Sequence, residues 1–301
     1  MRILHIDTGD EMRGGQHQVL LLLKALRKAG CEQSLLVRHA GPLGDLAKSA
    51  GFPVRIGGLR STFRLSRSVD IVHAHDARAH LWSATASAAR FVVSRRVAFP
   101  IKRTPASRWK YARAARYLAV SQCVARELES ACVPGAKIDI VYDSVETQPT
   151  MPTWDPTAPA VALASTDPMK GRDLVERAAH VSGVPVVFSN DLALDLQRAS
   201  MFVYITRSEG LGSAALLAMS LGVPVVASAV GGLPETVQHQ QTGLLTGNEE
   251  RTIARAMRRI LEEPDLAGQL RLAAFAAVKE RFSPERMAQD TLASYRRAIG
   301  S

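Results

Sequence analysis

Short apolar runs alternate with helix-length segments along most of this chain, and that alternation constrains its fold more than any other feature. Residues 2–7 (RILHID) read as a buried first strand. Glycines follow at Gly9, Gly14 and Gly15. The spacing then predicts a helix from about Gln16 to Ala29, with Val19, Leu22, Leu23 and Leu26 on one face and Gly30 as its stop. CEQSLLVRH reads as a second strand, GPLGDLAKSAG as a short helix, and 53–57 and 69–73 as two more strands. A helix is expected over 78–90, and strands over 92–97, 116–120 and 138–142. Residues 146–159 (ETQPTMPTWDPTAP) hold four prolines, a linker composition. The alternation then restarts. VALAS, VPVVFS, MFVYIT, VPVVAS and TGLL read as strands, with helices over 171–182, DLALDLQRA and 213–221 between them. A helical tail follows over 249–263, 265–281 and 284–298. Such alternation implies parallel sheets covered by helices on both faces. A chain of 301 residues accommodates two units of about 150 residues each. Ligands of such sheets sit beyond the C-terminal strand ends.

Charge divides the chain unevenly. Residues 1–150 carry 23 Lys/Arg against 12 Asp/Glu, whereas residues 151–301 carry 15 against 16. Within the basic half, 90–116 holds nine basic residues and no acid, interleaved with Phe99, Trp109 and Tyr111. Three readings stay open for that stretch: a solvated helix face, contact with anionic lipid head groups, or nucleic acid. No helix-turn-helix, zinc or RNP signature accompanies the charge, which disfavours the last. Three cysteines without a CxxC pair fit a reducing cytoplasm. No secretory leader pattern opens the sequence, and no run of about 18 apolar residues occurs.

The stretch from Arg207 to Glu235 (RSEGLGSAALLAMSLGVPVVASAVGGLPE) carries the most chemistry. A strand ends in a loop presenting Glu209. Gly210 and Gly212 let backbone approach a ligand closely. A helix begins at once at Ser213, so free N–H groups and a positive dipole end face that loop, a cradle for a diphosphate. Glu209 can accept hydrogen bonds from sugar hydroxyls. Gly231 and Gly232 form a second close-approach loop. Each glycine pair alone is equally an ordinary turn.

This segment resembles the EGxG…AM…GxPVVAS…GGxPE signature of retaining GT-B glycosyltransferases of the GT4 type, also called glycosyl transferases group 1. The resemblance extends to MRILHID…GGQHQVLLLLKALRKAG, to DIVHAHDARAH, to RYLAVSQCVARELESACVPGAKIDIVYDSVE and to ERFSPERMAQDTLASYRRAI. It implies two facing Rossmann-like doubly wound parallel-sheet domains. These are expected over 1–145 and 160–283, joined by a linker over 146–159, with the helix over about 284–301 packing back on the first. The implied reaction transfers a sugar, with retention of configuration, from a UDP-, GDP- or ADP-sugar to an acceptor. It uses no cofactor and no bound metal, and the sequence contains no DxD triplet. A cell-envelope glycan or a lipid-linked precursor is the expected acceptor. The expected location is cytoplasmic, with the basic stretch resting on the inner face of an anionic membrane.

Carried over residue by residue, the resemblance is mixed. His75, Glu209 and Lys170 match the family's catalytic positions. Gly14 and Gly15 match the N-terminal glycine loop. Gly210, Leu211, Gly212 and Ser213 match the donor cradle, and Arg95 and Arg96 a segment near the acceptor. Leu217 stands where the second glutamate of the pair belongs, and Ser165 where an arginine accompanies the lysine. Bland readings stand beside these: Asp76 as a helix cap, Asp7 and Asp10 as loop caps, His73 as a structural histidine, Lys170 as a solvated loop lysine. Only 38 residues separate Lys170 from Glu209. One strand–helix unit is therefore expected to be missing, the first of two, which shortens the second domain and removes a wall of the nucleotide pocket; together with Ser165 and Leu217 this leaves open a second reading, a catalytically silent homologue that binds a glycan, a lipid or a partner protein.

Overall fold

The structure, a computed structural model, describes residues 1–300. It divides into two compact units: residues 1–143 together with the helix that starts at Pro284, and Ser144–Ser283. The first unit contains β1 (Arg2–Asp7), α1 (Gly14–Lys28), β2 (Glu32–Val37), α2 (Pro42–Ser49), β3 (Val54–Ile56), α3 (Leu59–Ser66), β4 (Ile71–Ala74), α4 (Ala77–Ala86), β5 (Phe91–Arg95), α5 (Pro105–Arg113), β6 (Arg116–Ala119), α6 (Gln122–Ser130) and β7 (Ile138–Ile140). The second contains β8 (Ala160–Leu163), α7 (Arg172–Ser182), β9 (Val186–Ser189), α8 (Leu192–Asp195), β10 (Phe202–Tyr204), α9 (Ser213–Ser220), β11 (Val225–Ser228), α10 (Leu233–Thr236), β12 (Leu244–Thr246), α11 (Glu250–Glu262) and α12 (Pro264–Arg281). The last helix, α13 (Pro284–Gly300), belongs to the first unit. Ser301, the end of the expected tail helix, lies outside the described residues.

The first sheet has the order β3-β2-β1-β4-β5-β6-β7, all parallel. One face is sealed by α1 and α13: Ile3, Ile71, Val92 and Leu118 meet Leu22, Leu26, Met287, Tyr295 and Ala298. Strand side chains alternate with period two, so the same face continues through His5 and Asp7 on β1 and His73 on β4. It turns polar towards the C-terminal strand ends. A second cluster fixes α2 against β2 through Val19, Leu23, Leu35, Val37, Leu43 and Phe52.

The second sheet has the order β12-β11-β10-β8-β9, again all parallel. In the first sheet two strands, β2 and β3, lie on the outer side of the opening strand; here only β9 lies outside β8. The second sheet has five strands against seven, and one of the two absent strands is on this outer side, in keeping with the expected shortening. β9 pairs directly with β8, as β2 does with β1, so the vacant position is the outer one. A parallel sheet leaves no gap beside a central strand, because its unpaired N–H and C=O groups would lie buried.

Several elements differ in extent from the sequence reading. α1 starts at Gly14 rather than Gln16, so Gly14 and Gly15 form the helix's first turn instead of a loop. The cause is Gln16. Its Oε1 accepts from Arg13 N–H at 3.3 Å while its Nε2 donates to Asp7, pinning the chain in helical form from residue 14. α4 stops at Ala86 because Ser87 is extended and the chain turns towards β5. DLALDLQRA splits into α8 and a 3-10 turn, Leu196–Arg198.

Leu26 is fully buried under α13. Leu26→Ala is expected to cost about 2–5 kcal/mol of stability, measured as a lower urea midpoint with an unchanged slope.

Candidate functional site

In the second unit the site forms at the C-terminal ends of β8 and β10. Gly171 adopts φ +60°, and a Cβ there would lie 2.9 Å from the Ile205 carbonyl oxygen. That close approach sets the turn after β8 against the loop after β10. Met169 O accepts the Arg207 N–H at 2.8 Å and the Thr206 hydroxyl at 3.0 Å. Across the sheet, Ser228 Oγ accepts the Thr206 N–H at 2.9 Å and Asn248 Nδ2 donates to Thr206 O at 3.0 Å. These straps bring Lys170 onto Glu209: Nζ lies 2.9 Å from Oε2.

Glu209 is held at both ends. A Cβ on Gly231, which has φ +58°, would strike the Glu209 backbone. Only glycine permits that contact, and Gly232 N–H donates to Glu209 O at 3.0 Å. On the carboxylate, Gly210 N–H donates to Oε1 at 3.0 Å, and the Tyr204 hydroxyl donates to Oε2. Burial, then the Glu209 charge, push the Tyr204 hydroxyl well above its usual range, so it stays protonated and donates. The Lys170 ammonium also stands 5.9 Å from the Tyr204 ring centre. Sequence reasoning missed Tyr204. The signal was there: a tyrosine closing an otherwise apolar strand needs a partner for its hydroxyl.

α9 begins immediately beyond. Gly212, at φ +100°, is its N-cap and has no side chain to cap with; a Cβ there would meet Leu233. Gly212 O accepts from Ala215 and Leu216, while the amides of Ser213 and Ala214 find no acceptor among the described residues. Leu211 is buried. Ser213 and Leu217, one turn apart, lie on the half-buried side of α9. Leu217 offers no polar atom there, and Ser165 Oγ is turned onto Asp167 N–H at 3.2 Å.

In the first unit, His75 stands at the end of β4 and is 7% exposed. Its Nε2 lies 2.9 Å from His5 Nδ1 and its ring stacks on His5, with centres 5.2 Å apart. His73 is fully buried between Tyr295 OH, 2.6 Å from Nδ1, and Ser94 Oγ, 2.7 Å from Nε2. The three imidazoles offer nitrogens within 4.8 Å of one another. They make a poor metal site: both His73 nitrogens are engaged, and the Arg96 cation stands close enough to lower all three pKa values. Burial, the largest cause, takes His5 down to about 3 and His73 and His75 well below the imidazole range.

Asp76 caps α4, accepting from Arg78 and Ala79 N–H at 2.8 and 2.9 Å, and ties β1 to β4 through the Thr8 hydroxyl at 2.8 Å. Asp7 accepts from Gly9 N–H at 2.9 Å, and Asp10 pairs with His39 at 2.7 Å. Gly15 has open space where a Cβ would stand. Arg96 pairs with Asp143 at 2.8 Å, with side chains only 14% and 11% exposed. Arg95 binds Tyr111 OH at 3.2 Å and Phe99 O. Both arginines are therefore engaged in fixing the first unit's own loops.

Comparison with known proteins gives consistent matches. Residues 160–263 match the family described as glycosyl transferases group 1, and residues 12–149 match Glycosyltransferase Family 4. A D-inositol 3-phosphate glycosyltransferase of Mycolicibacterium paratuberculosis is 37% identical over 139 residues, which is 46% of this chain and 32% of the relative. The chain thus spans about a third of the length of the curated relatives it matches. Anabaena HepE in complex with UDP superposes with a TM-score of 0.83 at 16% identity, over 98% of this chain and 100% of that one. A glycosyltransferase from Rickettsia africae does so at 0.80 and 17%, over 99% and 98%. The fold is GT-B with a shortened second domain.

His80 is likewise buried and lowered to about 3, so four histidines enter the folded state neutral. Their unfolded counterparts protonate near 6.5. The unfolded chain therefore binds more protons below that pH, and stability falls as pH drops from about 6.5 towards 3. Urea unfolding between pH 7.5 and 4.5 should show a slope steepening towards four protons; a flat profile from 7 to 5 would refute neutral burial.

Proposed function

We propose, because the chain belongs to the GT4-type glycosyltransferases, that it transfers a sugar from a nucleotide-diphosphate sugar to an acceptor. The observation that carries this is the pair of uncapped amides opening α9, beside Glu209 and the Lys170 ammonium. A departing diphosphate needs fixed positive charge, and preorganised amides and an ammonium supply it without reorganisation at the moment of transfer. Glu209 orients the donor sugar, and the second unit holds the donor. The structure of Anabaena HepE with UDP-glucose supports a nucleotide-sugar as donor, with UDP-, GDP- and ADP-linked sugars as the candidates. Transfer proceeds with retention, without a cofactor or a bound metal, and His75 is the first unit's catalytic residue. The acceptor is a cell-envelope glycan or lipid-linked precursor, bound by the first unit.

Calorimetry with UDP-, GDP- and ADP-glucose tests this. One of them should bind, and should be hydrolysed slowly without acceptor. Restoring charge and hydrogen bonding with Ser165→Arg and Leu217→Glu should tighten binding about tenfold or more, since each charge-assisted contact contributes about 1.5–3 kcal/mol. Absence of binding by the natural chain, with binding gained by the double variant, would show the transferase site to be silent.

The enzyme works as a peripheral protein on the inner face of an anionic membrane. α5 supports this, because none of its residues is buried. Trp109 on α5 is 46% exposed and Phe99 before it 58%, among cations with no acid from 90 to 116. Tyr111 anchors the helix, stacking on Tyr117 and meeting the edge of His80. No helix among the described residues is long and apolar enough to cross a membrane. The chain should float with anionic liposomes at low salt, less at high salt, and Trp109→Ala with Arg108→Gln should abolish recovery. Equal recovery with neutral liposomes would overturn the proposal.

A further inference from the structure

Protein donors nearly saturate Glu209. An ionised carboxylate has about four lone-pair positions. Gly210 N–H takes one on Oε1; Lys170 Nζ and the Tyr204 hydroxyl take the two on Oε2. One position is left, on Oε1. A vicinal diol on a sugar presents two O–H donors, and a carboxylate with both oxygens open accepts them together. This one accepts a single hydroxyl.

We infer that Tyr204 is a specificity-determining residue: by occupying Oε2 of Glu209 alongside Lys170, it limits the donor sugar to one hydroxyl contact with that carboxylate. The inference rests on the transferase reading above and adds what the site selects. Tyr204 is suited to the role. Its ring is buried and stacks on Phe202, with centres 5.3 Å apart. The hydroxyl is therefore fixed where a water or a mobile side chain would yield to the sugar. The same ring lies beneath the Lys170 ammonium, which keeps the cation on Oε2 with its other N–H groups available to a diphosphate. A donor lacking one of two adjacent hydroxyls, or carrying a substituent there, loses little at this site.

The test is a hydroxyl-deletion series on the full chain. Hydrolysis of UDP-, GDP- and ADP-glucose without acceptor identifies the donor used. Its 2-, 3- and 4-deoxy analogues are then compared in the natural protein and in Tyr204→Phe. In the natural protein, one deletion should lower kcat/KM about tenfold or more while a neighbouring one changes it less than about threefold. In Tyr204→Phe the neighbouring deletion should also cost about tenfold, because the freed lone pair on Oε2 accepts the second hydroxyl. A purely structural role would lower all rates by a common factor and leave the pattern unchanged, which would overturn the inference. Tyr204→Leu gives the same readout if the phenylalanine variant fails to fold. A natural protein that binds none of the three donors overturns the transferase reading and this inference with it. Binding with an unaltered deletion pattern overturns the inference alone.

Discussion

Within each sheet every strand runs the same way. Parallel strands need crossover connections, so all strand-to-helix turns of a unit emerge at one edge. That constraint concentrates the polar chemistry. In the first unit Asp7, His75, Asp76, Arg96 and Asp143 gather at or beyond the C-terminal ends of β1, β4, β5 and β7. In the second, Lys170, Thr206, Glu209, Ser228 and Asn248 do the same around β8, β10, β11 and β12. The central faces stay apolar. Lys170 and Glu209, 39 residues apart, meet because β8 and β10 are neighbours in the sheet.

Glycines convert that proximity into contact. Gly171, Gly212 and Gly231 all have positive φ, and a Cβ on any of them would collide with Ile205, Leu233 or Glu209 respectively. They are packing requirements of the empty protein, independent of any ligand. Gly15 differs: nothing stands within 4 Å of its virtual Cβ. Its smallness is not demanded by packing. The sequence pattern alone could not separate these two kinds of glycine, because both follow a strand and stand at or near a helix start.

The two-unit alternation and the strands were legible because a buried strand in a parallel sheet is a short apolar run with glycine or proline at its ends. α3, α5 and α6 were missed for different reasons. α6 carries an ordinary signal, Ser121 accepting from Val124 N–H, and α5 another, Thr104 followed by Pro105. α3 lacks a side-chain cap and buries only Thr62 and Ser66, so its apolar period is weak. At the site, the glycine string located Glu209 and Lys170. What local spacing could not reveal was who bonds to whom. Arg96 finds Asp143, 47 residues away, and His73 finds Tyr295, 222 residues away. Tyr204 is only five residues from Glu209. It escaped notice because a tyrosine in a strand reads as core until its hydroxyl is traced.

On the proposed reading, the departures at Ser165, Leu217 and the outer strand position weaken the hold on the nucleotide and its phosphates. None of them touches the groups around Glu209. Lys170, Tyr204, Gly210 and Gly231 together leave that carboxylate oriented and short of only one partner. The part-buried carboxylate keeps three donors, while Ser165 and Leu217 offer no counterpart of the family's arginine and second glutamate. On the proposed reading, such a site holds its nucleotide weakly and leaves the diphosphate to Lys170 and the α9 amides and the sugar to Glu209, where binding energy accelerates transfer rather than merely retaining the donor.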